Sequence, residues 1–190
     1  MPNTFVHLGV QTLASRAVLK TADFKWIAVG CIIPDFPWIM QRISAFLNIG
    51  INSYVLRNYF SVQASFVFCL VLCGAFALAA FEKRKIFVLL GSNSLLHLLL
   101  DAVQIKWANG VHLFAPFSWK LTSFNLIWPE NSIIFLLTCI GAIVLVCYGY
   151  LDRKKIVYLT SSRSSYTAAM VLILVYLVGP GFFISQMLHS

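Results

Sequence analysis

The chain has 190 residues, of which 60% are hydrophobic and only 11% charged, with a mean hydropathy of +0.85. A soluble domain is about half apolar and about a quarter charged, so this composition excludes an ordinary soluble protein and points to a bilayer. The formal charge of +8 would suggest nucleic acid in a soluble chain; here the basic residues cluster between apolar runs, as in cytoplasmic loops, and no nucleic-acid partner is expected.

The opening stretch, MPNTFVHLGVQTLASR, has neither a basic start nor a long apolar core and does not read as a signal peptide. Residues 5–19 predict a short, moderately apolar helix. Residues 24–40 are apolar but interrupted by Pro34 and Pro37. Together they predict a hairpin of short, tilted or re-entrant helices, which needs other helices to shield its backbone at membrane depth. Residues 61–81 predict a spanning helix stopped by EKRK. Residues 86–105 are long enough to span but unusually polar, carrying Ser92, Asn93, Ser94, His97, Asp101 and Gln104. Residues 131–151 predict a further span stopped by DRKK, and 166–188 a last one bent at Gly179, Pro180 and Gly181.

The expectation is one membrane-embedded domain over 1–190, an all-α polytopic bundle of about four to six helices. It comprises a short-helix hairpin and loop over 1–60, three spans over 61–151 with a loop at 106–130, and a C-terminal span at 166–188. The five cysteines, Cys31, Cys69, Cys73, Cys139 and Cys147, all sit in apolar runs with no C-x-x-C pair, so they read as small buried hydrophobes.

Lysine and arginine set the orientation. With the turn at 16–25, the EKRK turn and the 152–163 loop in the cytoplasm, that side holds Arg16, Lys20, Lys25, Lys83, Arg84, Lys85, Arg153, Lys154, Lys155 and Arg163. Only Arg42, Arg57, Lys106 and Lys120 remain outside. His7 and Asp35 then lie at the outer ends of the first two helices. Asp101 and His97 lie about 6 Å and about 12 Å below the outer end of helix 86–105. His112 follows in the outer loop.

Within that helix Ser94, His97, Asp101 and Gln104 form one polar stripe, flanked by Leu95, Leu96, Leu98, Leu99 and Leu100. An ionised carboxylate at depth costs several kcal/mol unless a cation or donor satisfies it. Imidazole and carboxylate both suit zinc or manganese, so one helical turn can supply two ligands. The bland alternatives are a His97–Asp101 pair that glues helices together, a proton relay, an Asp35 that stabilises its proline-flanked turn, and His7 and His112 as ordinary polar residues. Glu130 reads as a helix-starting acid and His189 as incidental. The chain has only four histidines and six acidic residues, and three of the former and two of the latter converge on the outer side. His7, Asp35, His97, Asp101 and His112 are therefore the candidate metal ligands. A spare carboxylate, Asp35 or Asp101, is the candidate general base.

The order of these residues resembles the YdjM-like family of inner-membrane metal-dependent hydrolases, also described as LexA-binding. The resemblance rests on FVHLG, GCIIPD, HLLLD and GVHLFAPFS and covers roughly residues 1–150. It implies metal-ligand roles for His7, Asp35, His97 and Asp101, with His112 a weaker match in a loop near the site, and location in the bacterial inner (plasma) membrane. The ligand order is also similar, more distantly, to that of zinc-dependent phospholipase C. Family members carry a further motif like H-R-G-x-T-H-S between the P-D and H-x-x-x-D elements. Here YVLRNYFSVQASFVF keeps Arg57 and has no histidine. That departure implies either fewer metals or a branch that keeps the fold without the activity.

Two functions follow as expectations. One is hydrolysis of a lipid or other phosphoester at the membrane surface by a divalent metal, zinc or manganese, with Lys106 and Lys120 beside the site. The other is a catalytically inactive multi-pass protein with a structural or protein-partner role. A transporter would show paired broken helices in two related halves, and no matching half is present. Trp107, Trp119 and Trp128 read as interfacial belt residues.

Overall fold

The structure, a computed structural model, describes residues 4–19, 22–47, 50, 52–105, 110–126 and 163–189, with scattered residues between 133 and 144. Seven named helices follow in chain order. They are α1 (Thr4–Val18), α2 (Phe24–Ile32), α3 (Phe36–Phe46), α4 (Ser53–Gln63), α5 (Phe66–Ala79), α6 (Lys83–Val103) and α7 (Arg163–His189). Among the described residues there is no strand; Val111 and Thr122 form an isolated antiparallel bridge.

The N-terminal hairpin forms because each break has a local cause. Asp23 caps α2 by accepting from the Lys25 backbone N–H at 3.0 Å. Pro34 and Pro37 cannot donate backbone hydrogen bonds, so α2 stops at Ile32 and α3 restarts with Pro37 in its first turn. Helix α1 packs on α2, and both pack on α6. Ser15 bonds Asn93, while Thr4 and His7 reach Asp35 and His97, so α1 runs antiparallel to α6. Gly30 lets α2 approach α6: a Cβ there would stand 2.9 Å from the Asn93 Cβ and 3.1 Å from the Leu90 carbonyl. Ser94 uses the closeness, donating to the Gly30 carbonyl at 3.0 Å.

Helix α5 packs between α6 and α7, and α4 against α7. Their core includes Val62, Phe68, Leu72, Leu90 and Tyr176. Of the span expected over 61–81, residues 61–63 end α4 and 66–79 form α5, and these two helices meet at 60°. Ser65 makes the corner by accepting from the Phe68 N–H, which restarts the helix. Helices α6 and α7 are each long and apolar enough to cross a membrane, and the bent α4–α5 pair makes a third candidate if it counts as one span. Most of the span expected at 131–151 lies outside the described residues, as do the 152–162 loop, Lys106, Trp107, Trp128 and Glu130.

The last turn of α6 is completed by the 110–126 segment. Phe124 and Leu126 donate their backbone N–H groups to the Ala102 and Val103 carbonyls at 2.7 and 2.9 Å. These are carbonyls that no residue within the helix can reach. Phe66 N–H, at the start of α5, donates to the Leu113 carbonyl at 3.0 Å. The segment is thereby tied to two helix ends, directly over the polar end of α6.

Candidate metal centre

Helix α6 presents His97 and Asp101 one turn apart, and the α1–α2 hairpin brings His7 and Asp35 against them. His7, His97 and Asp101 each offer one ligand atom, and these atoms lie within 4.8 Å of one another. His7 Nδ1 stands 3.3 Å from His97 Nε2, with the rings edge to face at 78°. Asp101 lies 3.7 Å from each histidine, through Oδ1 to His7 Nε2 and Oδ2 to His97 Nε2. Asp35 Oδ1 is 3.3 Å from His97 Nε2. His7, His97 and Asp35 are buried, while Asp101 is half-buried.

His97 and Asp101 stand 3.7 Å apart, an ion-pair separation beyond hydrogen-bond distance, within a group that also holds His7 and Asp35. Asp35 does more than stabilise its turn. It occupies the N-cap of α3, yet its carboxylate caps nothing. Instead Oδ2 accepts from the Thr4 hydroxyl at 2.9 Å, and Oδ1 faces His97. Burial pushes the Asp35 carboxyl up, but the hydrogen bond and charge of His97, with Thr4 and His7, outweigh it and hold the group below the usual carboxylate range.

A metal ion fits this donor set. Two nitrogens each bound tetrahedrally to one zinc stand about 3.3–3.4 Å apart, given zinc–nitrogen bonds of about 2.0–2.1 Å. The His7–His97 separation matches. Facing ring nitrogens must otherwise share a proton, since two bare lone pairs at this distance repel. Cys31 Sγ lies 3.6 Å from His97 Nδ1, on the side of the ring away from Asp35.

His112 stands apart from the three-residue group. Its ring lies edge-on to Trp119, 5.6 Å between centroids, and lines a cavity into which Asp101 also opens. Burial, with Arg57 nearby, outweighs the backbone hydrogen bond at Trp119 and lowers its pKa. Of the α6 stripe, Ser94 serves packing through Gly30 and Cys73, while Gln104 belongs to the cluster, its amide 2.9 Å from His7 Nε2. Sequence reasoning placed Gln104 on the stripe without a role, and it missed Thr4. A hydroxyl three residues before a candidate ligand histidine was the available signal.

No family model, no curated protein and no solved structure matches this chain.

Proposed function

We propose that the chain is a multi-pass protein of the bacterial inner membrane with four to six embedded helices, of which α6, α7 and the bent α4–α5 pair have about the length a bilayer requires. In this reading His7, His97 and Asp101, joined by Asp35, hold a divalent metal, zinc or manganese, for hydrolysis of a phosphoester at the membrane surface. The observation that carries it is the meeting of two imidazoles and two carboxylates from α1, the α2–α3 turn and α6, inside a leucine-rich helix bundle. Ionisable groups at such depth cost several kcal/mol unless they serve a cation or one another.

When bound, the ion would supply Lewis-acid polarisation of the ester and a nucleophile at neutral pH. The protein's own groups divide the remaining work. His7 and His97 present ring nitrogens, held by Gln104 and by Cys31 on their far sides. Asp35, fixed by Thr4, orients His97 and balances charge. Asp101, the carboxylate that opens on the cavity, is placed to accept a proton from water approaching from that side.

The alternative is an inactive protein of the same architecture with a structural or partner-binding role. What favours it is the stretch YVLRNYFSVQASFVF, which keeps Arg57 but has no histidine where the family that the chain resembles carries a further histidine motif.

Metal content of the detergent-purified protein decides between them. Stoichiometric zinc or manganese in the wild type, absent from the His97→Ala, Asp101→Ala double variant, is the expected result. A wild type without metal, together with a double variant of lowered thermal stability, would make the cluster helix glue and remove the hydrolase reading.

A further inference from the structure

A cavity of about 380 Å3 adjoins the cluster, within the size range of small-molecule sites. Its walls differ in chemistry. Helix α4 contributes Tyr54, Arg57, Asn58 and Ser61, which share one helical face by their spacing. The opposite face of α4 is committed elsewhere, with Tyr59 and Gln63 bonded to α7 carbonyls. The lining also includes apolar Leu98 and Leu121, and Trp38 adds an aromatic surface. Asp101 is the acid among the lining residues.

Arg57 is exposed, and no hydrogen bond or ion pair among the described residues engages its guanidinium. His112, on the same lining, has a buried Nδ1 without a hydrogen-bond partner among the described residues. A guanidinium offers five N–H donors in a planar fork that matches phosphate oxygens. Asn58 adds an amide donor and Ser61 a hydroxyl on the same wall. A metal bound beside Asp101 would offset that carboxylate and leave the cavity attractive to an anion.

We propose that this cavity binds the phosphate of an amphiphilic phosphoester, with Arg57 as the anion anchor, Asn58 and Ser61 as neutral donors, and Trp38 and Leu121 against the apolar part. The assignment names the substrate class of the site and rests on the metal-centre reading for its chemistry, though not for the binding itself. Two sources offer such a phosphate: a lipid headgroup and a water-soluble phosphate ester.

The test is isothermal titration of the detergent-purified protein with dihexanoyl phosphatidic acid and with inorganic phosphate, each corrected for titration into detergent alone. Metal content and helical circular dichroism are measured on the same samples. Arg57→Gln is expected to weaken phosphatidic acid binding about tenfold or more with metal content unchanged, since hydrogen bonds to charged groups are the strong ones. Arg57→Lys, which keeps the charge and loses the fork, is expected to fall between the two. Phosphatidic acid binding at least about tenfold tighter than inorganic phosphate assigns the lipid source, and equal affinities assign the soluble ester; either supports the subsite. Arg57→Gln within about twofold of wild type, or a wild type that binds neither probe, overturns the proposal and leaves the metal reading standing. A wild type that holds no metal yet shows Arg57-dependent binding overturns the metal reading and leaves the subsite standing.

Discussion

The two ring nitrogens of His7 face different partners, Nδ1 toward His97 and Nε2 toward the Gln104 amide at 2.9 Å. A neutral imidazole carries one proton, so what Gln104 offers decides where that proton sits. As the amide stands, its nitrogen donates to Nε2, and Nδ1 keeps the proton and shares it with His97. For Nδ1 to bind a cation, the amide turns so that its carbonyl, buried without a partner among the described residues, accepts from Nε2–H. Groups that fix a ligand histidine in this way typically contribute about 10- to 100-fold to metal affinity. Gln104→Leu is therefore expected to lower zinc affinity by about that factor in a chelator competition, without changing helical content. Gln104→Glu, which can only accept when ionised, should remain close to wild type. Equal affinities for all three proteins would mean that Gln104 packs against the ring and does not set its proton. The nearness of His97 and Asp101 was legible from their spacing on one helix, and that of His7 and Asp35 from charge placement across the hairpin. The position of His112 was not. It lies in a segment with no helical or strand periodicity, where spacing fixes no direction, and backbone bonds to the end of α6 from Phe124 and Leu126 and from the start of α5 to Leu113 determine where that segment lies.

At the scale of elements, α7 depends on α4 for an intact backbone. Pro180 has no N–H, so the carbonyl of Tyr176, four residues earlier, loses its helical partner. Gln63 Nε2 donates to that carbonyl at 3.1 Å, and the Tyr59 hydroxyl donates to the next one, at Leu177. Lipid cannot replace either donor. Gln63→Leu is thus expected to destabilise the protein by about 1–3 kcal/mol, the cost of a stranded buried acceptor, read as a lower midpoint of thermal unfolding in detergent. Pro180→Ala restores the missing N–H, so in the Gln63→Leu background it should recover most of the loss. Additive effects of the two substitutions would show that the carbonyl has some other partner. The sequence marks Gly179, Pro180 and Gly181 as a weak point. The helix nevertheless continues through them from Arg163 to His189. What repairs it lies 113 residues away in the chain, and helical periodicity carries no information about pairs that distant. The corner at Ser65 escaped the sequence for a related reason: an N-cap serine between two apolar runs looks like one polar residue inside a single span.

For the whole molecule, the direction of the helices divides the charges. Lys83 bonds Ser165, so the starts of α6 and α7, which carry Lys83, Arg84, Lys85 and Arg163, lie together; Ser15 bonds Asn93 midway along α6, which puts Arg16 on the basic side of His97 and Asp101. The site is at the opposite end of α6, beside Arg57 on the cavity wall and the 110–126 segment with its single Lys120. Cytoplasmic loops carry the excess of lysine and arginine, so in the proposed membrane orientation the His–Asp cluster and its cavity face the outer side. That face is also fringed with apolar side chains: Phe114, Phe117 and Phe124 on the 110–126 segment are all exposed. Such side chains suit the boundary between headgroups and acyl chains, the depth at which a lipid phosphate would meet Arg57. Single cysteines introduced at Ser118, in the site segment, and at Glu82, at the basic end, test the orientation without altering the basic residues that set it. In intact cells a membrane-impermeant maleimide is expected to label Ser118→Cys above the parent chain, and to label Glu82→Cys only after lysis. Cys31, Cys69 and Cys73 are buried but Cys139 is exposed, so Cys139 and Cys147 are replaced by serine in the parent chain. Labelling of Glu82→Cys alone before lysis would turn the protein over and place the site against the cytoplasm. A phosphoester substrate would then have to come from the inner leaflet or the cytosol, and the chain's positive charge would sit on the outer side against the usual rule.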